Sequence, residues 1–247
     1  MEWFDHASPR ARARITGVVY LLFFATAVAG ALVAPLTAGL GAAPTDASAT
    51  AKSITDHKSL YELSVALGLI STVFYVMLVG LFYLMFHPVS RNFALLMALF
   101  SLIGNAVTAV SSIFQLAPLV VLNGDSYLSV FDAKQLDAMV LLSLNINVRT
   151  GAVALVFFGV FQLFLAYLIW RSTFLPRVLG ALVALAGVGW LTYLWPPLSG
   201  FLLTELEVVG FAAEASLMLW LLIMGLNSER WNRLTVAPGV AQTPAQA

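Results

Sequence analysis

The chain has 247 residues, of which 61% are hydrophobic and 10% charged, with a mean hydropathy of +0.93, whereas about a quarter of a soluble domain's residues are charged; this is the composition of an integral membrane protein. Twelve basic residues balance twelve acidic ones, which removes the electrostatic case for nucleic acid as a partner. Cysteine is absent and the three histidines (His6, His57, His87) lie outside the apolar runs, so no disulfide, thiolate metal site, iron–sulfur cluster or intramembrane haem is expected, and no cofactor is called for.

Residues 1–14 form a polar lead that sets Arg10, Arg12 and Arg14 before the first apolar run, and Ser8-Pro9 suits a helix start. The run 15–40 exceeds the ~7 to 15 apolar residues of a signal-peptide core and is read as a retained span. Residues 41–57 are small and polar and predict a loop with room for one short surface helix. Ser59-Leu60-Tyr61-Glu62 has the spacing of a capping box and predicts a second span to Phe86. The turn His87-Pro88-Val89-Ser90-Arg91 leads to a third span over 92–122. Asp132-Ala133-Lys134-Gln135 is a further capping box and opens a fourth span over 133–170. Its part 150–170 holds 21 residues without a charge, enough at ~1.5 Å per residue to cross a hydrocarbon core ~30 Å thick. A fifth span over 177–194 and a sixth over 201–226 flank the turn Pro196-Pro197-Leu198-Ser199-Gly200. The tail from residue 227 onward lacks apolar periodicity and predicts disorder.

The predicted fold is thus all-α: one domain of six transmembrane helices over 15–226, between a short lead and a tail. Six spans put both termini on one side. Eight arginines (Arg10, Arg12, Arg14, Arg91, Arg171, Arg177, Arg230, Arg233) fall on that side against three lysines (Lys52, Lys58, Lys134) on the other, which predicts cytoplasmic termini. Trp170, Trp220 and Trp231 are expected near the inner interface, and Trp190, Trp195, Tyr61 and Tyr193 near the outer one.

Polar residues within the spans are where function is sought. Ser101, Asn105, Thr108, Ser112 and Gln115 follow one another at steps of four, three, four and three, so they share one face of the third span. Asn145 and Arg149 share a face of the fourth span, and Glu207 and Glu214 a face of the sixth, with Gly210 between them. An arginine among lipid tails is seldom kept without a partner, so Arg149 is expected to pair with Glu214 or Glu207. That pair reads either as a structural tie or as a site for a carboxylate, phosphate or lipid headgroup, which the planar guanidinium suits. Serines and threonines in spans ordinarily bond their own helix or a neighbour, and Thr204-Glu207, like Ser59-Glu62, has capping spacing. Gly17, Gly30, Gly39 and Gly187-Val188-Gly189 read as close helix contacts. Metalloprotease, nucleophile-elbow and nucleotide-loop motifs are absent, so no catalytic residue is assigned.

Ala13-Arg14-Ile15-Thr16-Gly17-Val18-Val19-Tyr20, Pro88-Val89-Ser90-Arg91-Asn92-Phe93-Ala94-Leu95, Val156-Phe157-Phe158-Gly159, Tyr167-Leu168-Ile169-Trp170-Arg171-Ser172, Phe174-Leu175-Pro176-Arg177-Val178-Leu179-Gly180 and Glu214-Ala215-Ser216-Leu217 occur in this order. Together they resemble the bacterial membrane family catalogued as domain of unknown function 4386. The resemblance implies a multi-span protein of the bacterial inner membrane and brings no assigned activity.

The leading expectation is a non-enzymatic protein of the lipid bilayer that binds or moves a small amphiphilic or anionic molecule. Its cavity, in the outer half of the bundle, would be lined by Arg149, Glu214, Asn105, Asn145 and Gln115, with Glu207 as a further candidate. An enzyme acting on lipid with Glu214 as acid or base, and a regulatory or assembly subunit without a ligand, are the alternatives.

Overall fold

A computed structural model of the chain describes residues 8–38 and 45–235, and every regular element among them is helical. Helix α1 (Pro9–Ala38) starts as its sequence predicts: Pro9 occupies the first turn, where its missing N–H costs nothing, and the Ser8 hydroxyl accepts from the Ala11 amide at 3.2 Å. The polar stretch after it holds the amphipathic α2 (Ala47–Asp56), whose N-cap Asp46 accepts from the Ala49 amide at 3.0 Å and whose apolar side buries Ala51 and Ile54. Helix α3 (Lys58–Phe86) follows after the single residue His57, whose carbonyl already accepts from the Tyr61 amide. Ser59 therefore lies inside α3, and the capping box expected at Ser59-Glu62 does not form.

Helix α4 (Arg91–Val121) and α5 (Ala133–Ser172) come next. The capping box at Asp132 forms in both directions, the Gln135 amide to the Asp132 carboxylate at 2.8 Å and the Asp132 amide to the Gln135 side chain at 2.9 Å. Helix α6 (Arg177–Leu191) runs on through a 3₁₀ turn at Thr192–Leu194, and the short α7 (Pro196–Phe201) leads into α8 (Leu203–Ile223). Leu202 takes the N-cap position of α8, so Thr204 falls within the first turn of the helix and not at its N-cap.

Six helices are long and apolar enough to cross a membrane: α1, α3, α4, α5, α6 with its 3₁₀ turn, and α8. The chain is a multi-pass α-helical membrane protein. Large apolar side chains such as Val73, Ile113, Leu142 and Val153 project from the outside of the bundle, where in water they would be a liability and in lipid they are in their own solvent.

The six spans form a ring in chain order. Each packs against the next, and α8 closes the ring against α1. Small residues set the closest approaches: a Cβ on Gly187 would stand 3.0 Å from the Gly159 carbonyl oxygen, and one on Gly17 would stand 2.8 Å from the Leu222 amide. The expectation of close contacts at Gly17 and Gly187 holds; Gly30 meets Leu67 at ordinary van der Waals distance, and Gly39 lies outside the described residues.

An even number of spans leaves both ends of the chain at one face of the ring, and there the Arg12 guanidinium lies 5.8 Å over the Trp231 ring. The half of the ring next to this face is solid. Tyr20, Phe82, Phe86, Met97, Leu168, Ile169, Leu217 and Leu221 fill it as one cluster of buried side chains. The first part of the tail, predicted to lack order, is the helix α9 (Ser228–Thr235). Its order comes from tertiary partners rather than from periodicity. Trp231 is buried with its ring 5.1 Å from that of Phe174, and Arg230 donates to the Thr173 carbonyl at 2.8 Å.

Candidate functional site

Beyond this solid half the ring holds a cavity of about 360 Å³, and every span contributes to its wall. Phe23 and Ala27 come from α1; Gly68, Ser71, Thr72 and Tyr75 from α3; Asn105 and Thr108 from α4; Leu155 and Phe158 from α5; Trp190 from α6; Glu214 from α8. Counted at ~1.5 Å per residue from the helix ends at the terminal face, Phe23, Asn105, Phe158 and Trp190 lie roughly 20 Å deep. Tyr75 and Glu214 lie roughly 15 Å deep by the same count, next to the packed core, and make the floor. Aromatic rings dominate the lower wall. Tyr75 stands 4.9 Å from Phe23 and 5.2 Å from Phe158 between ring centroids, the second pair edge to face. The Trp190 indole reaches the cavity because α8 has glycine where it crosses: a Cβ on Gly210 would overlap the six-membered ring of the indole.

Most polar groups in the wall are already satisfied by backbone. Thr72 and Thr108 donate to the Gly68 and Gly104 carbonyls of their own helices at 2.9 and 3.1 Å, and Ser71 donates to the Phe23 carbonyl at 3.5 Å. Two groups differ. The Asn105 amide nitrogen donates to the Thr72 carbonyl at 3.4 Å, and its oxygen has no partner among the described residues. One Glu214 oxygen accepts from the Gln162 amide at 3.1 Å, and the other has no partner among them. The site is therefore a largely apolar chamber in which Asn105 and Glu214 each keep an oxygen without a partner among the described residues, beside the hydroxyl of Tyr75 and the indole N–H of Trp190. No arginine, lysine or histidine among the described residues lines it. Among the described residues no group of three or more His, Cys, Asp or Glu is placed to hold a metal ion.

The sequence profile of the domain of unknown function DUF4386 matches residues 15–225. The chain belongs to this family. The match takes in five spans whole, α1 from Ile15 onward and every residue of the cavity wall, so the chamber is part of the DUF4386 domain itself. An uncharacterized protein of Archaeoglobus fulgidus is 28% identical over 148 residues, covering 58% of this chain and 72% of the relative. No solved structure matches the chain.

Of the residues singled out by sequence as ligand candidates, Asn105 and Glu214 line the DUF4386 cavity, together with Thr108 from the same face of α4, whereas Arg149, Asn145, Gln115 and Glu207 do not. Arg149 is exposed, and no ion pair joins it to Glu214 or Glu207. The length of α5 accounts for this: its 40 residues overshoot a hydrocarbon core ~30 Å thick, and Arg149, roughly 34 Å along the helix from Ser172, has already passed that thickness, where a guanidinium needs no buried partner. Glu207 is exposed, roughly 10 Å along α8 from Glu214. Asn145 donates to the Leu141 carbonyl of its own helix at 3.0 Å, and the Gln115 carbonyl accepts from the buried Tyr61 hydroxyl at 2.6 Å. Tyr61, Trp190 and Trp231, expected at the interfaces, are turned inward by these contacts.

Ser71, Thr72 and Tyr75 of the cavity wall escape the sequence reading, and so do the polar residues of two ties between spans. Gln162, 3% exposed, is the partner of Glu214, and it is the one amide side chain within the run 150–170. Asn147 clasps Ser111: its amide donates to the Ser111 carbonyl at 2.8 Å, and the Ser111 hydroxyl donates to the Asn147 carbonyl at 2.7 Å. Asn145 and Arg149 share a helical face that draws attention away from Asn147 between them.

Proposed function

We propose that this DUF4386 protein binds, and carries across part of the bilayer, a small amphiphilic molecule held in the chamber inside the helix ring. The observation that carries the reading is that six separate spans surround one chamber, apolar in its walls, with two unpaired acceptors at Asn105 and Glu214. A carboxyl at such depth is expensive to retain for packing alone. Mostly apolar concavity with few placed polar groups is the general form of a small-molecule site, and its volume is of the usual order. The packed half next to the termini supports a chamber served from the opposite side or from the lipid. We place the protein in a bacterial inner membrane with cytoplasmic termini, a reading supported by the arginine bias of that face. The anionic ligand among the sequence expectations loses its support, because its intended cation, Arg149, is outside the chamber.

Gly68 provides the test. It lines the chamber, and a Cβ added there meets nothing within 4 Å, so Gly68→Leu sends its side chain from open space into the chamber and takes up part of its volume. Native mass spectrometry of protein purified gently from its membrane is expected to show a retained small molecule in the wild type and none in Gly68→Leu. Identical spectra from two equally stable proteins would reject the reading.

A further inference from the structure

The acceptors and rings of the chamber also specify the ligand's head, on the condition that the chamber is a ligand site as proposed above. We infer that the head group is cationic, an organic ammonium seated against Glu214 and enclosed by Phe23, Tyr75, Phe158 and Trp190. Three observations converge on this. First, the Glu214 oxygen left over from Gln162 is an acceptor in a wall that holds no basic side chain, so the countercharge has to come from the occupant. Second, the rings supply faces and edges on several sides: Tyr75 lies 4.9 Å from Phe23 and 5.2 Å from Phe158, and Trp190 faces the same space from α6. Aromatic faces attract a desolvated cation within ~6 Å of the ring centre and do nothing comparable for an anion, whose charge they repel. Third, the Asn105 oxygen, which has no partner among the described residues, is an acceptor as well. An ammonium offers what each of these lacks. A carboxylate or phosphate would find no cation in the wall to answer it and would gain nothing from ionising Glu214, whereas an ammonium draws the carboxyl into its charged form. The apolar remainder of the chamber takes an alkyl or aryl body, so the ligand class is a small lipophilic amine or quaternary ammonium.

The test uses three probes with one body, 4-phenylbutyl, carrying a trimethylammonium, a hydroxyl or a carboxylate head. Binding to the full-length protein in maltoside detergent is followed by titration calorimetry and thermal stabilisation. The ammonium is expected to bind about tenfold or more tighter than the alcohol, and the carboxylate most weakly, since a tenfold step needs only about 1.4 kcal/mol. Glu214→Gln is expected to bring the ammonium down to the alcohol's affinity while the alcohol is unaffected, and Trp190→Leu to weaken the ammonium more than the alcohol. If the alcohol binds as tightly as the ammonium, or the carboxylate more tightly, the cationic head is refuted and the chamber as an amphiphile site stands. If none of the three binds, and Gly68→Leu carries the same retained molecules as the wild type, both inferences fall together. Should Glu214→Gln not fold, the ranking of the three heads on the wild type still decides.

Discussion

The side-chain amide of Gln162 donates to the Glu214 carboxyl across 3.1 Å, tying α5 to α8, two spans that are not neighbours in the ring. Gln162 is itself buried, and its amide oxygen has no hydrogen-bond partner among the described residues. Removing one side of a buried hydrogen bond leaves the other group desolvated and unpaired, at a cost of about 1–3 kcal/mol. Gln162→Leu is therefore expected to destabilise by about that amount, and the double variant Gln162→Leu, Glu214→Leu by clearly less than the sum of the two single changes. Thermal unfolding of the four proteins in one detergent measures the coupling. Strict additivity would show that the two residues do not act as a pair.

Asn147 and Arg149 stand two residues apart on α5 and are expected to behave oppositely. The Asn147 amide bonds both the carbonyl and the hydroxyl of Ser111, each at 2.8 Å, and so fastens α5 to α4. Interhelical hydrogen bonds in membranes average about 0.6 kcal/mol and reach about 1.7, so Asn147→Ala should lower stability by about 1–2 kcal/mol. Arg149 is exposed and joined to no acid, and Arg149→Leu should change stability by less than about 0.5 kcal/mol. Ligand retention should also survive Arg149→Leu. A loss of retention there would restore the guanidinium to the site.

The difference between these two residues marks how far the sequence can be read. Spans, turns and the Asp132 box are legible because each is decided within a few consecutive residues: apolar length, a proline, a donor and acceptor three apart. The face of α4 that carries Asn105 and Thr108 is legible for the same reason, since helical spacing alone aligns them. What joins two spans is not local. Gln162 and Glu214 are 52 residues apart, and only the rotation of each helix in the ring, set by Gly159 against Gly187 and by Trp190 against Gly210, brings them together. The pairing expected of Arg149 fails for a related reason, because spacing along α5 does not say which neighbour its exposed face meets. The same holds for α9, whose eight residues carry no spanning pattern and are ordered by Phe174 and Thr173 from the α5–α6 turn.

The contact between α5 and α6 is a backbone contact and should respond to volume rather than polarity. A Cβ at Gly159 would stand 2.9 Å from the Gly187 carbonyl oxygen, and one at Gly187 would stand 3.0 Å from the Gly159 carbonyl oxygen. Backbone cannot swing aside as a long side chain can. Gly187→Val is expected to push the helices apart at a cost of about 1–3 kcal/mol and, because Gln162 lies beside Gly187, to loosen its bond to Glu214. Gly68→Ala, by contrast, meets open space and removes a helix-weakening residue, and is expected to be neutral or stabilising by up to about 1 kcal/mol. Unfolding midpoints of the two variants, compared with the wild type, check the contrast.

Trp231 anchors α9 to the terminal face through a different kind of contact. It is 3% exposed, its ring meets Phe174 edge to face at 5.1 Å, and Arg12 of α1 lies over it at 5.8 Å, so one side chain joins α9, the α5–α6 turn and the start of α1. Truncating a buried tryptophan costs about 3–5 kcal/mol when the whole fold depends on it. Here the spans hold one another without α9, so the loss should appear as local opening of the terminal helix rather than unfolding of the bundle. Trp231→Ala is expected to leave the main unfolding transition within a few degrees of the wild type while residues 228–235 become open to protease. Arg230→Ala, which removes only the bond to the Thr173 carbonyl, should produce a weaker form of the same exposure. Limited proteolysis read by mass spectrometry separates the cases. Cleavage unchanged in Trp231→Ala would show that α9 is held by its own helix and not by the indole.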